Sequence, residues 1–146
     1  MHDALEVAQA ACERHGKDAE AWWLLGCISR YTGMPAASDD AFRRAAALSR
    51  RRPPPIRVEG SRFQKLVDGS LESLSPDARR RLASTRVEVE QLPTPEAIAA
   101  GLSPDAVSAR ERKPLDVLTL FQVNLENRSA TETELLKLVG RTLVRA

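Results

Sequence analysis

Leu115-Asp116-Val117-Leu118-Thr119-Leu120-Phe121-Gln122-Val123-Asn124-Leu125 is the stretch on which the fold turns. It is rich in β-branched and aromatic residues and alternates over its second half, which predicts a strand at the centre of a sheet. Upstream, Arg86-Val87-Glu88-Val89-Glu90 alternates as a half-buried strand, and Phe63, Leu66, Val67, Leu71 and Leu74 line one face of a helix. Ser75-Pro76-Asp77, Thr94-Pro95-Glu96 and Ser103-Pro104-Asp105 share one design. A hydroxyl caps, a proline takes the first turn and an acid meets the positive end of the dipole, so short helices are expected at all three. The residues between Leu92-Pro93 and the strand near Leu118 read as a variable loop. Thr131 with Glu134 forms a capping box that opens a final helix carrying Leu135, Leu136, Leu138, Val139, Leu143 and Val144. Helices with a short sheet make the fold class α+β.

The first fifty residues have a different character. Ala4, Leu5, Ala8, Ala11 and Cys12 recur at helical spacing and build a narrow small-residue face that ends near Gly16, and a second helix begins close to Asp18. Trp22, Leu25 and Gly26, then Gly33, then Phe42 and Ala45 resemble the tetratricopeptide pattern, in which small residues let two antiparallel helices pack closely. Ser29 stands where a Tyr is usual, Ser38 replaces the usual Ala, and Arg50 the terminal Pro. Gly33-Met34-Pro35 still supplies the turn. The pattern spans about one and a half repeats, and such a repeat cannot bury its apolar face alone. The exposed face in residues 1–50 is therefore expected to dock on the second half of the chain, on another copy or on a different partner, with Trp22, Trp23 and Tyr31 as the partner-binding side chains. The competing reading of the two tryptophans is plain core packing.

Arg50-Arg51-Arg52-Pro53-Pro54-Pro55 ends the helical pattern, since three successive prolines favour an extended segment. Residues 51–60 read as an Arg/Pro-rich linker, and the arginines as cations at a helix C-terminus.

From 61 to 146 the order of elements resembles the small bacterial zincin-like metallopeptidases with a minimal matrixin-type domain. The segments that carry this likeness are Val87-Glu88-Val89-Glu90-Gln91-Leu92-Pro93 and the approach Thr142-Leu143-Val144. The resemblance implies a His-Glu-x-x-His motif directly after Val144, in which two imidazoles bind zinc and the Glu takes a proton from metal-bound water. Arg145 falls at the first His and Ala146 at the Glu. Arginine is permanently cationic and alanine carries no base, so no metal site and no catalytic residue are expected.

Other classes find little support. With 22 basic against 20 acidic residues the net charge of +2 gives no reason to expect a nucleic acid or anionic membrane partner. No apolar run approaches the roughly 20 residues of a membrane span, and the start lacks a signal-peptide pattern, so the cytoplasm is the expected location. Cys12 and Cys27 read as reduced packing residues; the competing reading, in which Cys12 and His15, one helical turn apart, seed a metal site with Cys27, lacks a fourth ligand. His2 and His15 are the only histidines and neither has an evident nucleophile beside it. No glycine-rich phosphate loop is present.

The expected function is a non-catalytic protein-interaction module without cofactor, binding a protein or peptide, or a second copy of itself. The alternative is a zinc metallopeptidase whose His-Glu-x-x-His segment is lost by truncation or frameshift. Zinc enters only under that alternative.

Overall fold

A computed structural model of the chain describes residues 2–146, and the side chains of residues 3–146. The imidazole of His2, read above as lacking a catalytic partner, lies outside the described residues. The chain divides into two compact units, Met1–Pro55 and Ile56–Ala146.

The first unit is three helices: α1 (His2–Arg14), α2 (Ala19–Tyr31) and α3 (Pro35–Leu48). Asp18 caps α2 by accepting from the Glu20 amide at 3.0 Å. Gly33 turns the chain between α2 and α3 with φ +73°, the left-handed region that suits glycine, and Pro35 opens α3. The two helices meet through small residues. Ser38 is fully buried, and its hydroxyl donates to the Gly26 carbonyl at 2.6 Å, while the Phe42 ring lies against Gly26. Ala8, Cys12, Ala41 and Ala45 complete a core of mostly small side chains.

The second unit holds α4 (Gly60–Glu72), α5 (Pro76–Arg81), β1 (Arg86–Glu90), α6 (Pro95–Ala99), β2 (Ser108–Glu111), β3 (Val117–Phe121), α7 (Gln122–Asn127) and α8 (Glu132–Arg145). The fold is α+β. The strand read as central is central: the order is β1-β3-β2, with β1 parallel and β2 antiparallel to β3. Leu118 and Leu120 point into a core built with Phe63, Val67, Leu125, Leu135, Val139 and Leu143. Each such side chain contributes about 1.5–3 kcal/mol through burial. Ser75, Thr94 and Thr131 cap α5, α6 and α8 through their hydroxyls, and the Glu134 carboxylate, instead of closing the box on the Thr131 amide, accepts from the Ala130 amide one residue earlier at 2.7 Å.

Three expectations need correction. The strand stops at Phe121, and Gln122–Asn127 turn into α7, whose six residues are all buried. Ser103-Pro104-Asp105 starts no helix, because the Asn124 amide nitrogen takes the Pro104 and Ala106 carbonyls at 2.9 and 2.8 Å and holds a turn there. The variable loop contains β2, which pairs with β3 from Ser108↔Leu120 to Glu111↔Val117.

The segment read as linker also contributes to the second unit. Glu126, 3% exposed, accepts from the Val58 amide at 2.8 Å, from Arg57 at 3.4 Å and from Gln122 at 3.3 Å. Asn127 accepts from Arg57 at 2.7 Å, and the Ile56 amide donates to the Ser129 carbonyl at 2.8 Å. A buried helix with polar side chains is stable here because its polar atoms find partners in residues 56–58 and, for Asn124, at the Pro104 and Ala106 carbonyls. Among the described residues no helix is long and apolar enough to cross a membrane.

Candidate partner-binding surface

Trp22 and Trp23 are neighbours on α2, so their side chains leave the helix roughly 100° apart and do not share one patch. Both are half-buried. The Trp22 indole N–H donates to the Gly16 carbonyl at 3.0 Å, and the Arg44 guanidinium lies 4.7 Å from its ring centroid. Trp23 turns the other way. Its ring packs on Phe42 with centroids 4.8 Å apart and planes tilted by 56°, and Arg52 covers it at 4.4 Å. The same Arg52 grips Glu20 bidentately at 2.8 and 2.6 Å, and this hydrogen bonding lowers the Glu20 carboxyl below its ordinary range. Trp23 thus joins core packing to a surface charge pair. Tyr31 is half-buried at the last turn of α2.

The sequence drew attention to the aromatic residues; the structure adds three aliphatic ones. Val7 on α1, Leu24 on α2 and Leu48 on α3 are 68%, 50% and 43% exposed. Each helix of the first unit therefore keeps one large aliphatic side chain in water.

The donor set at the end of α8 does not fit zinc. Arg145 offers a guanidinium and Ala146 a methyl, the latter half-buried against the core of the second unit. Among the described residues no three His, Cys, Asp or Glu side chains form a group able to hold a metal ion. Cys12 is buried, and burial raises its thiol above the ordinary value, while His15 is exposed.

One charged cluster escaped the sequence reading. Arg110 on β2 meets Asp116 at 2.9 and 2.7 Å, and the Thr85 hydroxyl donates to the same carboxylate at 2.8 Å. The Arg110 hydrogen bonds, helped by Thr85, lower Asp116 from 3.8 to about 2. This triad ties together the chain before β1, strand β2 and the residue leading into β3. The basic residue and the acid sit six positions apart across a turn, a spacing with no recognisable motif.

No family model matches the chain, and no curated protein matches it.

Proposed function

We propose that this chain is a non-catalytic protein-interaction module, a tetratricopeptide-like hairpin joined to a metallopeptidase-like domain without a zinc site. The observation that supports it most directly is the exposure of Val7, Leu24 and Leu48, one on each helix of a unit whose tryptophans are only half-buried. Tryptophans covered by arginine also share the Trp- and Arg-rich composition of binding hot spots. The close approach of α2 and α3 at Gly26 and Phe42 supports the tetratricopeptide-like reading, since that architecture depends on small residues at helix crossings.

The test pairs a photo-crosslinking residue at position 24 with one at the exposed Lys17 as a control. A discrete adduct from position 24 alone, in cells expressing the full chain, is the expected result. Metal analysis of the purified protein provides the opposing arm. One zinc per chain with ligands in the second unit, together with peptide hydrolysis, would replace this reading with the peptidase one.

A further inference from the structure

We propose that the groove between α4 and α8 is a docking site for an acidic amphipathic helix of a partner protein. The two helices pack through Leu66, Leu135, Val139 and Leu143, and beside that seam lies an open trough of about 900 Å³. Small residues make it. Gly69 on α4 and Gly140 on α8 both line it, and a Cβ added to either would meet nothing within 4 Å. At Gly26 the absent side chain lets a neighbour approach; at Gly69 and Gly140 it leaves space.

The floor is apolar and the rim is cationic. Leu136 and Val144 line the trough while 41% and 47% exposed, and Lys65, Lys137, Arg141 and Arg145 surround it with no Asp or Glu among the lining residues. Elsewhere on this unit Arg62, Arg80, Arg86, Arg110 and Arg128 each meet a carboxylate. Among the described residues no ion pair engages the four rim cations. Four cations left over around one apolar trough are complementary to a ligand with an apolar face and acidic flanks.

The ligand's conformation follows from the walls. They are two helices and the turn at Ser73–Ser75, so no strand edge offers the backbone pairing that an extended peptide needs. A trough between helices instead accepts a third rod of about 10 Å diameter by ridge-and-groove packing. A bilayer surface does not enter a concavity, and phosphate backbones gain little from an apolar floor.

The test is fluorescence anisotropy with the intact chain and a labelled synthetic helix of about four turns, carrying Leu at i, i+4 and i+7 with Glu on both flanks. A second peptide replaces every Glu by Lys. The acidic peptide is expected to bind saturably, and more weakly as salt rises, while the basic peptide does not. Gly140→Trp, which fills the trough, is expected to abolish binding. Lys137→Glu with Arg141→Glu weakens it at least about tenfold, equivalent to about 1.4 kcal/mol. Circular dichroism verifies the fold of each variant, and Gly69→Trp fills the trough from the opposite wall if Gly140→Trp misfolds. No saturable binding of the acidic peptide, equal binding of both peptides, or binding unchanged by a folded trough-filling variant would overturn the proposal. So would a dimer in sedimentation that the same substitution dissolves, since the occupant would then be a second copy.

Discussion

Gly26 faces the ring of Phe42 so closely that a Cβ on residue 26 would stand 2.6 Å from Cε1. Alanine is the better helix former by about 1 kcal/mol, so an isolated α2 would gain from Gly26→Ala. In the folded unit the ring is completely buried, so it can shift only by disturbing its neighbours. The steric term wins, and Gly26→Ala is expected to destabilise the first unit by about 1–3 kcal/mol. Denaturant titration followed by tryptophan emission measures it, and adding Phe42→Leu should return part of the loss.

Glu126 is a buried acid whose partners lie in residues 56–58 and at Gln122. Glu126→Ala takes one acceptor from Arg57 and leaves the Val58 amide without its acceptor, at an expected cost of about 3 kcal/mol. Amide exchange gives a sharper readout than stability alone. Val58 should exchange much faster in the variant, and Ile56, held by the Ser129 carbonyl, should be less affected.

Asp116 titrates near 2 in the folded chain against an ordinary 3.8, because Arg110 and Thr85 hold its charged form. Its contribution is present in full above about 4 and is lost as pH falls through 2, since below that point both states are protonated. The stability difference between the protein and Asp116→Asn should therefore be constant from pH 7 to about 5 and shrink toward zero near pH 2. Urea titrations at stepped pH values measure the difference, and a constant difference down to pH 2 would contradict the arrangement.

Cys12 is buried with a raised thiol pKa, whereas Cys27 is only partly buried. In the native protein a thiol reagent should modify Cys27 before Cys12, and the order should disappear in denaturant. Single-cysteine variants assign the two rates.

What the sequence discloses depends on how local the cause is. The caps at Ser75, Thr94 and Thr131 act within four residues, so the cap and its helix can be read together. The centrality of β3 is legible too, because its apolar run needs cover on its buried face. Helix α7 is not. Gln122, Asn124, Glu126 and Asn127 look like surface residues, and only distant partners at Val58, Pro104, Ala106 and Arg57 make their burial possible. Ser108-Ala109-Arg110-Glu111 has no apolar alternation and is a strand only because β3 lies alongside. The tryptophans stand out in the sequence, but the arginines that cover them come from other parts of the unit. Glycine is ambiguous in the same way: Gly26 and Gly140 are alike in a string of letters, one marking a contact and the other a void.

The bonds from residues 56–58 to α7 impose an order in time. In the first unit the joined helices are consecutive, so its contacts close short loops that form quickly. The second unit closes on pairs such as Arg57 with Glu126, separated by 69 positions, and its core needs α8 against α4. During synthesis the first unit can be finished while the segment that opens the second still waits for its partners. Until α7 and α8 arrive, Phe63, Leu66 and Val67 lack the cover that Leu125, Leu135, Val139 and Leu143 bring. For this chain, the interval of greatest exposure to misassembly comes after the helical hairpin has already formed.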